Sequence, residues 1–391
     1  MAPMDFQLSE EQQMLKKLVR SVADDFKAFV PEWERTGAIP DSAKESMRTA
    51  LERHGLLGMT VPQNYGGQDR PFIDLVLVIE EFARYTQPLV WYVVGTSGGP
   101  VQIIIAFGSE RIKNRYLTQL VSGRARCALA MTEPQAGSAT TDLQTIAVPG
   151  KNGYILNGTK VFVGGAGSDQ LYVVFASFDQ KAGGRGIGAL LLDKDSPGLT
   201  FGRDSGLISQ RMTTRQEMVF QDCVVPAENL LVQPGHFGKL MGAFNTERIQ
   251  NSAWSLGLAQ GALEETLSYL QRRVQFGKKL VQFQMIQNIV ADMVIGIEAG
   301  RFLVYRAATS VQAGTAPAYE SALAKAFISE AAPRIIDSAI QVHGAYGLTT
   351  DLPLERMWRD ARGLAIAAGT AQINKIRIVT EITGVKFDQR A

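Results

Sequence analysis

The spacing of apolar residues changes character twice along this chain of 391 residues, and that limits it to a helix–sheet–helix order. From Ser9 to about Arg126 the period is helical. Ser9 with Gln12 three positions on predicts a capping box, and Leu15, Leu18, Val19, Val22 and Phe26 then share one helix face. A second helix is predicted from about Asp41 to Arg53, closed by Gly55. Residues 73–85 and 100–107 are apolar enough to be buried. Between about Cys127 and Val232 the pattern is short and β-like. Residues 154–156 and 160–163 flank Asn157-Gly158 and predict a hairpin. Residues 171–176, 188–193 and 217–220 are further strand candidates between Gly/Asp/Ser/Pro clusters. Long helices are predicted over 238–273, 284–313, 317–346 and 370–383. The expected domains are 1–126, 127–232 and 233–391.

The charge balance removes several function classes. Forty basic and 38 acidic residues leave +2, which gives no electrostatic case for nucleic acid or an anionic membrane. Cys127 and Cys223 make no disulfide framework and fit a reducing compartment. The histidines His54, His236 and His343 are too scattered for a metal site, so no metal is expected. Residues 1–11 include Asp5, Glu10 and Glu11 and no apolar core, so no leader is expected and a cytoplasmic location is. No apolar run is expected to span a bilayer. Gly184-Arg185-Gly186-Ile187-Gly188-Ala189 fits a dinucleotide pattern, but a strand-like Leu190-Leu191-Leu192 follows where that pattern needs a helix. It reads as a loop.

Three stretches carry the chemistry: Met131-Thr132-Glu133-Pro134-Gln135-Ala136-Gly137-Ser138, Arg273-Val274-Gln275-Phe276-Gly277 and Ile366-Ala367-Ala368-Gly369-Thr370-Ala371-Gln372-Ile373. The small residues of the first let main-chain amides and hydroxyls approach a planar ring. Together the three resemble the signature segments of the acyl-CoA dehydrogenase family, and the resemblance covers nearly the whole chain. It implies an α+β multidomain fold: an N-terminal α-helical domain, a middle β-barrel-like domain and a C-terminal four-helix bundle. It implies FAD, with Leu129, Met131, Thr132, Gly137 and Ser138 along the flavin and Phe162 as an aromatic wall. Relatives usually carry a tryptophan and a threonine in that second segment. Here Phe162 and Gly164 stand there, so the hydroxyl near flavin N5 is missing. Arg273, Gln275, Phe276, Gln284, Gln341, Gly344 and the amide of Ala345 match an ADP clamp shared between subunits, with Arg273 near the pyrophosphate. Thr370 and Gln372 match further cofactor contacts. A homo-oligomer, a tetramer, is implied.

The departure lies at the base. Many members hold their catalytic glutamate in the slot of Ala368, which cannot take a proton. Glu247, beside Arg248, falls in the slot that the isovaleryl-CoA and long-chain branches use. A carboxylate desolvated against an apolar substrate has a raised pKa and is a stronger base. The N–H at Ala368 and a flavin ribityl hydroxyl would still polarise a thioester carbonyl. A glutamate next to an arginine is also a common surface pair, which is the plainer reading. Val90, Trp91 and Val94 match a helix that lines the acyl tail, and the bulk of Trp91 and Tyr92 favours a short, branched or compact acyl group. Ser138 and Arg248 are further substrate candidates, and Arg84 is either structural or the partner of an anionic acyl terminus. The resemblance implies α,β-dehydrogenation of an acyl-CoA, with electrons passed to an electron-transferring flavoprotein. The alternatives are elimination of sulfinate from an acyl-CoA, the same dehydrogenation on an acyl-carrier-protein thioester, and a flavin-binding protein without turnover.

Overall fold

Ser9 opens the first helix: its hydroxyl accepts from the Gln12 N–H at 3.2 Å, and the Gln12 side chain accepts from the Ser9 N–H at 3.2 Å. In this computed structural model residues 7–385 are described; the reading of residues 1–6 lies outside them. Seven helices follow in order: α1 (Glu10–Asp24), α2 (Val30–Thr36), α3 (Asp41–Arg53), α4 (Phe72–Ala83), α5 (Gln87–Ser97), α6 (Gly99–Phe107) and α7 (Glu110–Val121). Gly55 takes the left-handed conformation just past α3, at φ +66°, where a side chain would be strained.

Every residue of α4 is buried, including Glu80 and Glu81. Both carboxylates need partners there. Glu81 receives Lys16 at 3.0 Å, Arg20 at 2.7 Å and Arg84 at 2.5 Å. Burial pushes its pKa up, but these cations together hold it down at about 2. Glu80 receives Arg301 at 3.1 Å and the Tyr305 hydroxyl at 2.6 Å. The N-terminal helices are thereby tied to the C-terminal ones. Residues 87–107 form a stretch long and apolar enough to cross a membrane, which corrects the sequence expectation. It is mostly buried in the fold, and extended backbone at Gly98 (φ −88°, ψ −159°) breaks it into α5 and α6.

The middle of the chain supplies β1 (Cys127–Ala130), β2 (Ile146–Gly150), β3 (Gly153–Lys160), β4 (Leu171–Ser177), β5 (Ile187–Asp193), β6 (Leu199–Asp204), β7 (Gln216–Pro226) and β8 (Leu230–Val232). The sheet runs β6-β7-β3-β2-β4-β5-β8, with β1 parallel to β4. Strands β1 to β7 turn one face into a single interior core that includes Ala130, Ala147, Leu156, Tyr172, Leu190, Leu199 and Met218, as a barrel-like layer requires. On β4 the alternate residues Leu171, Val173 and Phe175 face a second core shared with α6, α7 and α8 (Phe237–Arg272). The hairpin expected at Asn157-Gly158 is not formed. β3 runs straight through it and pairs with β7, with a register shift between Leu156 and Gly158. Asn157 bonds the main chain and side chain of Asp222 across the strands, so the pair marks a bulge and not a turn. The glycine-rich stretch before β5 leads into that strand, as anticipated.

After α8 a two-residue ladder joins β9 (Val274–Gln275) to β10 (Lys278–Lys279). Then come α9 (Gln284–Thr309), α10 (Ala318–His343), α11 (Leu354–Leu364) and α12 (Ala371–Thr383). Helices α8, α9, α10 and α12 make up the C-terminal bundle, with α10 packed against the other three. Helix α10 stops at His343, shorter than expected, because Gly344 turns to φ +61°. Helix α11 was not foreseen.

Candidate active site

Glu247 lies on α8 opposite Gly98 and Gly99, where α6 begins. A β-carbon at Gly99 would collide with the Glu247 carboxylate, so the glycine is what lets the helix start approach it. Gln250, one turn on, holds the two together: its amide donates to Glu247 Oε2 at 2.5 Å, and its Oε1 accepts from the Gly99 N–H at 2.8 Å. Arg248 does not pair with Glu247. Its guanidinium donates to Asn245 and, at 3.3 Å, to the carbonyl of Ala368, and sits 5.1 Å from the Phe244 ring. Burial without a cation raises the Glu247 pKa to about 7, and the Gln250 bond only partly offsets it.

The loop that carries Ala368 is held from below. Lys325 is fully buried and donates to the carbonyl of Leu364, at the end of α11, at 2.6 Å and to Ser329 at 2.8 Å. Burial and then the nearby Arg248 lower its pKa to about 7. Ala368 takes φ +57° and, like Leu129, packs against the core that includes Met131 and Phe244. Its N–H has no acceptor among the described residues. Thr370 caps α12, accepting from the Ile373 N–H at 3.3 Å, and Gln372 is exposed. Arg248 and Ala368 are thus brought together, with Glu247 beside Arg248 on α8, while Leu129, Met131 and Ala368 share one hydrophobic cluster.

The stretch after β1 is strapped to the end of β3. Lys160 donates to Glu133 at 2.6 Å and to the carbonyl of Met131 at 2.9 Å, in complete burial. Glu133 also accepts from the N–H groups of Gln144 at 2.6 Å and Thr145 at 3.0 Å. Burial lowers the Lys160 pKa to about 8; Glu133 is pushed up by burial but held below its usual value by Lys160 and these donors. Beyond this strap Gly137 faces open space and Ser138 is exposed. Phe162 stands at φ +59° with its ring exposed. An open small-residue segment beside a presented aromatic ring suits a planar cofactor.

Gly164 abuts Trp91. A β-carbon there would stand 2.7 Å from Cη2 of the indole, so Trp91 fills the room that a larger residue would need. Gly164→Ala is expected to destabilise by ~1–3 kcal/mol through overpacking, and to be tolerated in a Trp91→Leu background. Denaturant unfolding of the two variants checks this; equal losses in both backgrounds would place the clash elsewhere.

The remaining sequence candidates lie apart. Arg273 directly follows α8, with its guanidinium 5.6 Å from the Tyr346 ring. Gln275, Gln284, Gln341, Gly344 and Ala345 are exposed around it, and Phe276, at the tip of the β9–β10 turn, is 93% exposed. This face is separate from the Glu247 neighbourhood within one chain. Val90 and Val94 are enclosed in the helical core. Arg84 is not at the site: it is committed to Glu81 and Glu264, and Glu264 lies about 25 Å along α8 from Glu247 by helix rise. Sequence reasoning missed Gln250, Gly99 and the Lys160–Glu133 strap. Gln250 had a signal in its spacing of three from Glu247.

Sequence profiles of the acyl-CoA dehydrogenase N-terminal, middle and C-terminal domains match residues 9–124, 128–223 and 237–383. The chain is 33% identical to the short-chain-specific acyl-CoA dehydrogenase of Clostridium acetobutylicum, over 97% of this chain and 100% of that one. It is 35% identical to the 3-sulfinopropanoyl-CoA desulfinase of Paraburkholderia xenovorans, over 98% and 99%. Its structure matches that of butyryl-CoA dehydrogenase from Megasphaera elsdenii with a TM-score of 0.92 at 34% identity, covering 97% and 100% of the two chains.

Proposed function

Since this chain belongs to the acyl-CoA dehydrogenase family of oxidoreductases, we propose that it removes hydrogen across Cα–Cβ of a short or compact acyl-CoA, with Glu247 as the base. The observation that carries this reading is the Glu247 carboxylate: half-buried, without a cation partner among the described residues, fixed by Gln250 against Gly99, and with its pKa raised to about 7 by desolvation. A general base works best with a pKa near the operating pH. Glu247 takes the Cα proton onto its carboxylate. The unpaired N–H of Ala368 donates to the thioester carbonyl and acidifies Cα, and Arg248 steadies that peptide by bonding its oxygen. FAD, when bound, supplies the acceptor for the Cβ hydride. Leu129, Met131, Thr132, Gly137, Ser138, Phe162 and Gly164 would line its ring, and Thr370 and Gln372 would add contacts. An electron-transferring flavoprotein is the expected redox partner of the protein.

The face around Arg273 supports an ADP clamp completed by a second copy, in a tetramer. Phe276, Met285, Ile295 and Leu348 expose large apolar surface there and along α9. Arg273→Ala is expected to weaken FAD binding by ~1.5–3 kcal/mol, the size of a charge-assisted contact. An unchanged FAD dissociation constant would make Arg273 an ordinary surface residue. The reading as a whole is tested by anaerobic titration of the yellow holoenzyme with butyryl-CoA, isovaleryl-CoA and octanoyl-CoA. The short thioesters should bleach the flavin. The similarity to a desulfinase favours one other reading, release of sulfinate from an acyl-CoA. It would show as sulfinate release from 3-sulfinopropanoyl-CoA without bleaching by the saturated thioesters.

A further inference from the structure

Lys325 takes the carbonyl on which the Ala368 N–H would ordinarily close. At the end of α11 each N–H bonds back into the helix: Ala365 to the carbonyl of Ala361, and both Ile366 and Ala367 to that of Gly363. The next acceptor in the series is the carbonyl of Leu364, one helical turn before Ala368. A residue in the left-handed conformation at a helix end commonly makes that bond, and Ala368 stands at φ +57°. Here the bond is not made. Lys325, from α10, donates to the Leu364 carbonyl instead, at 2.6 Å.

Stability alone gives a poor account of a lysine at this position. Its side chain is completely buried, and its one other acceptor is the Ser329 hydroxyl at 2.8 Å. The charge that bears on it belongs to Arg248, a second cation. Neither cation has a carboxylate partner among the described residues. Burying a charge without a counter-charge is unfavourable, and an apolar side chain of similar volume is often the more stable choice. The other carbonyls of the turn are gripped too: that of Ala368 by Arg248 at 3.3 Å, and that of Gly369 by the Asn374 amide at 3.0 Å. Side chains from α8, α10 and α12 thus occupy the oxygen atoms of the turn, and the Ala368 N–H is left over. A β-carbon disfavours positive φ, so Ala368 keeps this conformation only because its surroundings impose it.

We propose that Lys325 is a positioning residue for the reaction: by occupying the Leu364 carbonyl it keeps the Ala368 N–H from closing onto the helix and holds it ready for the thioester carbonyl. This rests on the acyl-thioester reading above. The test is the carbonyl stretching band of crotonyl-CoA, isotope-labelled at the thioester carbon and bound to the FAD-loaded protein. A hydrogen bond to that oxygen weakens the C=O bond and lowers its frequency. In the parent the band is expected below that of the free thioester. In Lys325→Met the Ala368 N–H should fall back on Leu364, and the band should return most of the way to the free position. Flavin reduction at saturating butyryl-CoA should fall ~10²-fold, as when one oxyanion donor is lost, with FAD content unchanged. Lys325→Arg, which keeps a charged donor, should retain part of the shift. Should Lys325→Met not fold, Lys325→Gln, shorter and neutral, takes its place with the same expectation. A lysine that served stability alone would lower Tm and leave the band where it is in the parent; that result would overturn the proposal. A parent band at the free position would instead sink the acyl-thioester reading of Ala368, and this inference with it. The band is read without turnover, so it holds whether or not Glu247 is the base.

Discussion

Glu247→Gln is expected to lower flavin reduction by a good acyl-CoA substrate by ~10²–10⁴-fold, the usual contribution of a general base. Glutamine keeps the length and can still bond Gln250, so the Gly99 contact and the helix start at α6 should survive. FAD content and thioester affinity should therefore match the parent, which isolates proton abstraction from binding. Adding Ala368→Glu to this variant should restore part of the rate. By family resemblance the two slots serve the same Cα from different helices, and the Ala368 carbonyl is bonded by Arg248, the next residue to Glu247 on α8. Stopped-flow reduction at the parent rate in Glu247→Gln would show that a group other than Glu247 takes the Cα proton.

Lys160→Met is the substitution expected to cost most stability. It leaves Glu133 buried without its cation, and breaking a buried pair typically costs ~3–5 kcal/mol. It also removes the donor to the Met131 carbonyl, so the segment expected along the flavin loses its anchor to β3. A fall in Tm of the holoenzyme together with a shifted flavin absorption band is expected. Met at 160 with no change in either would mean that the Gln144 and Thr145 N–H groups suffice to hold Glu133.

Periodicity made the helical parts legible because their faces are sharply divided. Leu15, Val19 and Val22 are buried on α1 as their spacing required, and Phe26 is buried just past its end; the capping box at Ser9 formed from two residues alone. The middle domain was harder. Asn157-Gly158 looks like a turn locally, and only its cross-strand bonds to Asp222 turn it into a bulge. That information lies 65 residues away in the chain. Helix α11 escaped because it is rich in charge, although Leu354, Met357, Ala361 and Leu364 make a buried stripe at helical spacing. At the site, the motif residues could be picked out in sequence, but their partners could not. Nothing in the sequence links Gly99 to Glu247, Trp91 to Gly164, or Arg84 to Glu264; these are long-range contacts that only the packing of α4 and α6 on α8, and of α5 against the loop after β3, creates.

The most direct test of Glu247 as the base is the pH dependence of single-turnover flavin reduction in the parent enzyme. The carboxylate must be ionised to accept the Cα proton, and burial raises its pKa to about 7. The rate should therefore be level at alkaline pH and fall below about 7, approaching roughly tenfold per pH unit as the carboxylate protonates. The residual rate of Glu247→Gln should lack that step. A flat profile in the parent through this range, or the same step persisting in Glu247→Gln, would contradict the assignment.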